Sequence, residues 1–133
     1  MKDYKLERLS ELPLFAHLDS GRMRRLAAIA DEITVRRGTT LTATTDRTTD
    51  FFVIEEGRAV RQSSGRPLEL VTGDFFGELP ADHTHDTPAS ETIEAVTDLR
   101  MLVIRRNAFP LLNEIVPGLT GTLAEAVALH SGF

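Results

Sequence analysis

The chain has no cysteine and no tryptophan, a single tyrosine, and 2 lysines against 13 arginines. Without cysteine there are no disulfides, no thiolate metal sites and no thiol nucleophile, and a cytoplasmic setting is expected. No apolar run approaches the ~20 residues that span a bilayer. No charged segment followed by an apolar stretch marks a signal peptide after Met1. No membrane role is therefore expected. A formal net charge of -5 argues against broad nucleic-acid binding. Basic residues are also missing locally. Residues 67–99 contain no Lys or Arg but eight acids, namely Glu69, Asp74, Glu78, Asp82, Asp86, Glu91, Glu94 and Asp98. Such a stretch is either a solvated face or a surface that repels anions.

What is present suits one folded domain over 1–133: 41% hydrophobic and 26% charged residues in a chain long enough to bury a core. Tyr4 to Ser10 predicts a short helix. Asp19-Ser20 predicts the cap of a second, with Met23, Leu26, Ile29, Ala30 and Ile33 on one face. From Thr34 the texture changes to β-branched residues broken by Gly38, Gly57, Gly65, Gly73 and Gly77. Strands are predicted near Ile33–Arg36, Thr40–Thr44, Phe51–Glu55, Arg58–Gln62, Leu68–Val71, Thr92–Ala95 and Leu99–Ile104, with a hairpin turn at Ser63-Ser64-Gly65-Arg66. Asp82 to Ser90 is polar, carries Pro88 and predicts a loop. Helical periodicity returns after Arg106, with Asn107 as the expected cap, and a last helix starts at Pro117 with Leu119, Leu123 and Val127 along one face, interrupted at Gly121. The expected fold is α+β: helices over 4–33, an antiparallel β-roll of jelly-roll or double-stranded-helix type over 34–105, and helices over 107–130.

The residues in this order resemble the cyclic nucleotide-binding domain family. Pro13-Leu14-Phe15 with Leu18 and Leu26-Ala27 is similar to its opening helices. Gly38-Thr39-Thr40-Leu41 resembles its first strand turn, and Phe52-Val53-Ile54-Glu55-Glu56-Gly57 its central hairpin. Gly73-Asp74-Phe75-Phe76-Gly77-Glu78-Leu79 is the most specific piece and resembles the start of the phosphate-binding cassette. The resemblance implies a regulatory β-roll rather than an enzyme. It also implies a site in which Gly77, Glu78 and Leu79 hold a ligand. Backbone N–H groups at a helix start hold the cyclic phosphate, a glutamate (here Glu78) accepts from the ribose hydroxyl, and an arginine pairs with the phosphate oxygens.

That last position departs from the pattern. The family's Pro-Arg-Ala/Ser-Ala-Thr-Val stretch falls on Pro88-Ala89-Ser90-Glu91-Thr92-Ile93, so Ala89 stands where the arginine belongs and a carboxylate follows two residues on. Pro80, after Leu79, has no N–H to offer. Within 67–99 no cation substitutes, and the nearest donors are His83 and His85. The expectation is a stand-alone regulatory or interaction module with no cofactor. It would not bind cAMP or cGMP in the usual way, and its partner would be another protein, the rest of a larger regulator, or an uncharged or cationic ligand. Two alternatives stay open. One is a true cAMP sensor working through backbone amides, Ser90 and protonated histidines. The other is a cupin-like metal protein built on His83 and His85, although Thr42-Ala43-Thr44-Thr45 carries no histidine where cupins have theirs. Arg22, Arg24, Arg25, Arg36 and Arg37 form a possible basic patch that exposed edges explain equally well, so no nucleic-acid partner is expected. The four histidines (His17, His83, His85, His130) make no catalytic arrangement. The short last helix predicts a monomer or weak homodimer.

Overall fold

The computed structural model describes residues 4–41, 50–63, 66–77 and 92–131. Helix α1 (Tyr4–Ser10) and helix α2 (Ser20–Ile29) open the chain. Asp19 caps α2 as expected, its side chain accepting from the Arg22 N–H at 2.8 Å. This satisfies one of the donors that a helix start leaves over. The helix does not continue to Ile33. It stops at Ile29, and strand β1 (Ala30–Val35) follows without a loop. Ala30 is already extended at φ -109°, ψ 138°, and all six residues from Ala30 to Val35 pair with a single partner strand. That ladder overrides the helical spacing of Ile33, which faces solvent at 37% exposure.

The strands after β1 are β2 (Thr40–Leu41), β3 (Phe51–Glu56), β4 (Ala59–Ser63), β5 (Arg66–Leu70), β6 (Phe75–Gly77), β7 (Thr92–Ala95) and β8 (Leu99–Ile104). They form two antiparallel sheets, ordered β1-β8-β3-β6 and β2-β7-β4-β5. The predicted strand at Thr40–Thr44 is described only as far as Leu41. The expected hairpin closes with Ser63 opposite Arg66. Strand β6 was not predicted as a strand. Its three residues pair with Phe51, Phe52 and Val53, a length too short for periodicity to reveal.

The first sheet is a partition. Because successive side chains point to opposite faces, Phe51, Val53, Leu102 and Ile104 meet Leu9, Phe15, Leu26, Leu112 and Leu123 of the helical layer. From the other face, Phe52, Ile54, Met101 and Val103 meet Ala59, Leu70, Ile93 and Ala95 of the second sheet. Phe52 stacks on Phe76 with centroids 4.9 Å apart.

After β8 a 3-10 turn (Arg106–Ala108) leads into α3 (Phe109–Ile115). Asn107 is not its cap. The cap position is Ala108, with no side-chain hydrogen bond, and Pro110 lies in the first turn. Proline brings a helix-compatible φ and has no N–H to satisfy, so the start is stable without a capping oxygen. Helix α4 (Leu119–Ser131) runs through Gly121 without a break. Leu119 and Leu123 are each 1% exposed, consumed by packing within the helical core. The side chain of Val127 lies outside the described residues.

Candidate functional site

The space between the sheets is bounded on one side by the β4–β5 hairpin and β7. Ala59 opens β4 on the inner face, fully buried, with Leu70 and Ala95 directly opposite it. Two residues on, Arg61 pairs with Leu68 in β5 and with Ile93 in β7. Directly opposed residues of an antiparallel ladder share a face, and Ile93 and Leu68 both belong to the interior cluster. Arg61 therefore points inward. Across β7, Leu41 pairs with Ile93. Ala59, Leu70, Ala95 and Ile93 are sealed, whereas Arg61, Leu68 and Leu41, which surround Ile93, are only partly buried.

Gly77 ends β6 opposite Phe51 at φ 93°, in the left-handed region that favours glycine. A Cβ there would overlap the Asp50 carbonyl oxygen and press on the Phe52 ring. Position 77 at the end of β6 is thus restricted to glycine. The other expected ligand residues, Glu78, Leu79, Ala89 and Ser90, lie outside the described residues, as do Pro80, His83, His85, Glu91 and the 42–45 stretch of the metal reading. Among the described residues no group of three or more His, Cys, Asp or Glu is arranged to hold a metal ion. The basic patch is partly dismantled. The Arg22 guanidinium donates to the carbonyls of Ile115 at 2.8 Å and Glu114 at 3.3 Å, closing the C-terminal end of α3, while Arg24, Arg25, Arg36 and Arg37 are exposed.

Sequence reasoning missed two charged residues. For Arg61 the signal lies in the alternation Ala59-Val60-Arg61-Gln62 opposite Leu68-Glu69-Leu70. The other is Glu55, at a bulge between Ile54 and Glu56 on the helix-facing side of the first sheet. It is 9% exposed, and no protein donor reaches either carboxylate oxygen. Its neighbour Glu32 in β1 is held by Arg8 of α1 through two bonds, Nε to Oε2 at 2.7 Å and Nη2 to Oε1 at 2.6 Å. Two ionised carboxylates can only accept, so they cannot bond to each other; a proton on Glu55 makes it a donor to Glu32. Burial, then the bond and charge of Glu32, push the Glu55 carboxyl up to about 8. The Arg8 hydrogen bonds hold Glu32 down to about 2. The shift favours the protonated form of Glu55 beside Glu32, and the Arg8–Glu32 bonds tie α1 to the partition sheet. Lys5 adds to this tie, donating to the carbonyls of Ala27 at 2.7 Å and Ala30 at 2.5 Å.

Two four-stranded antiparallel sheets with helices on one outer face define an α+β β-roll domain. The sequence profile of the cyclic nucleotide-binding domain matches residues 32–112, from β1 into α3, and the chain belongs to that family. It is 28% identical over 103 residues to a cAMP-dependent protein kinase regulatory subunit of Schizosaccharomyces pombe, covering 76% of this chain and 24% of that protein. The chain therefore spans about a quarter of that relative's length. Among solved structures, a kinase regulatory-subunit domain, "Sp-2Cl-cAMPS bound to PKAR CBD2", shares the fold at TM-score 0.77 and 19% identity, covering 97% of this chain and 88% of that one. The regulatory subunit of a cAMP-independent protein kinase A from Trypanosoma cruzi, bound to guanosine, shares it at TM-score 0.66 and 19% identity, over 97% of this chain and 50% of that one. Among the described residues no helix is long and apolar enough to cross a membrane.

Proposed function

We propose that the chain is a regulatory module of the cyclic nucleotide-binding domain family that does not bind cAMP or cGMP in the usual way. The observation that carries this reading is the absence of any Lys or Arg from 67 to 99, with Ala89 at the family's phosphate-pairing arginine and Glu91 two residues beyond it. A charge-assisted hydrogen bond is worth roughly 1.5–3 kcal/mol. Each ~1.4 kcal/mol is tenfold in affinity, so a micromolar site weakens towards the millimolar range. Two comparisons support the reading. The relative that binds guanosine, a nucleoside without phosphate, is described as a cAMP-independent kinase subunit. The curated relatives are larger proteins of which this chain matches a fraction, which favours a module working with a partner protein or within a larger regulator. The role is non-enzymatic and the module is a monomer or weak homodimer.

Calorimetric titration tests this directly. Cyclic AMP and cGMP at tens of micromolar should give no binding heat, and a one-site isotherm in the low micromolar range would refute the reading. Ala89→Arg combined with Glu91→Ala should restore measurable cAMP affinity, since Gly77, Glu78 and Leu79 keep the cassette's pattern.

A further inference from the structure

We propose that Arg61 makes the partly open end of the roll interior a binding site for a small organic anion with an apolar body. This deepens the functional reading above and rests on it: the cation that the cassette segment lacks is supplied from another strand. The inward direction of Arg61 follows from register, because its opposite numbers in both neighbouring strands, Leu68 and Ile93, belong to the interior cluster. Leu41, opposite Ile93, extends the same apolar strip. At the Ala59 end of this wall the side chains are sealed, so nothing enters there. At the Arg61 end Ile93 is sealed but Arg61, Leu68 and Leu41 are only half-covered, so an incoming group reaches the guanidinium and the two leucines.

The chemistry of the ligand follows. Guanidinium is a planar fork with five donors, weakly hydrated and always charged, and it matches the paired oxygens of a carboxylate or phosphate. Partial removal from water strengthens its bond to an anion. Arg61 also makes contacts within the chain, and five donors serve a protein acceptor and ligand oxygens together. The flanking, half-covered Leu41 and Leu68 offer nothing to a polar body but reward an apolar one by burial. A cationic ligand, one of the options open at the level of sequence, is disfavoured by like charge on this wall.

The test uses a matched pair of fluorescent probes: 1-anilinonaphthalene-8-sulfonate, and N-phenyl-1-naphthylamine, which has the same rings without the anion. The native chain should bind the sulfonate in a saturable, single-site manner. Arg61→Leu should weaken it by about tenfold or more, the worth of one charge-assisted bond, and leave the neutral probe as tight or tighter. Arg61→Lys should fall between, keeping the charge and losing the fork. Displacement by octanoate against octyl phosphate then tells a carboxylate head from a phosphate head, and 1-octanol should displace neither probe selectively. Equal loss of both probes in Arg61→Leu, no loss of the sulfonate, or no sulfonate binding by the native chain would overturn the proposal. If Arg61→Leu does not fold, Arg61→Gln answers the same question with a neutral polar side chain. Titration with cAMP separates the two claims. Tight cAMP binding unaffected by Arg61→Leu refutes the functional reading alone, and the sulfonate result then decides this site. Absent cAMP binding with Arg61-dependent sulfonate binding supports both.

Discussion

Replacing Glu55 by glutamine should change not how stable the protein is at its best but how stability depends on pH. The groups facing Glu55 are Glu32 on β1, Arg8 on α1 and Arg100 on β8. Arg100 also pairs with Glu56 at 3.0 Å. Between its ordinary value of 4.5 and its folded value of about 8, Glu55 keeps its proton in the folded state and loses it in the unfolded chain. The native state then binds more protons, so stability falls as pH rises through this window. At 1.36 kcal/mol per unit, the loss accumulated by pH 7 is at most roughly 3 kcal/mol, and it grows further towards pH 8. Glu32 has the opposite sign. Its folded value of about 2 lies below 4.5, so its stabilisation is present above pH 4.5 and lost as pH falls towards 2. Stability from the pair therefore peaks near pH 4.5. Glu55→Gln keeps a donor for Glu32 and removes the ionisation. Urea unfolding at pH 5, 6, 7 and 8 should show native and variant close together at pH 5 and separating above it. By pH 7 the variant should be more stable by up to about 3 kcal/mol, on the order of 10 °C in Tm. Below pH 4.5 the two should lose stability in parallel, since Arg8 and Glu32 are untouched. Parallel curves across the whole range would show that Glu55 is ionised and solvated, and would end the shared-proton account.

Gly77→Ala forces a side chain into the left-handed region against the Asp50 carbonyl and should cost on the order of 2–4 kcal/mol, read as a fall in thermal midpoint. An unchanged midpoint would mean that β6 does not pair as described. Arg8→Met removes the cation from Glu32 and should destabilise by roughly 3 kcal/mol at pH 7 but less near pH 3, between the ordinary value of 4.5 and the folded value of about 2, where part of the Glu32 stabilisation is already lost; urea unfolding at the two values decides it. Leu123→Glu places a charge in the helical core and should unfold the domain or lower its midpoint sharply, with the native chain scattering light as one chain at micromolar concentration. A native dimer that this substitution splits into folded monomers would contradict the packing of α4.

The sheets were legible because they rest on signals the sequence repeats. Phe51 to Glu56 is buried almost throughout, and its β-branched and aromatic residues announce a central strand. The errors came where a non-local partner decides. Ala30 to Ile33 suits a helix by spacing, yet β8 claims it, and β8 lies some 70 residues away, beyond the reach of any local window. The Asn107 cap failed for a different reason, because Pro110 made a capping side chain unnecessary. Arg61 and Glu55 escaped because each is charged within a stretch otherwise read as a half-buried strand, where the default is to turn charge outward. Only the register shows that one faces the roll interior and the other the helices.

The fold is held by two apolar clusters on either side of the partition sheet and by glycine-specific turns such as Gly77. Both clusters are apolar throughout, so the charged groups that select a ligand are not what holds the sheets and helices together. Ligand chemistry is therefore free to change while the architecture persists, and membership of the family does not fix what is bound. In this chain positive charge is placed in a particular way: no Lys or Arg within 67–99, and, among the residues with described side chains, the Arg61 guanidinium on the inner wall. A cyclic phosphate and an anion anchored at Arg61 make different demands. The first needs charge beside the cassette's backbone amides, and the second needs it on the second sheet among leucines. Substitutions at 61 and at 89 should therefore act on different ligands, and Ala89→Arg should raise affinity for cAMP without restoring a lost response to the sulfonate probe in Arg61→Leu.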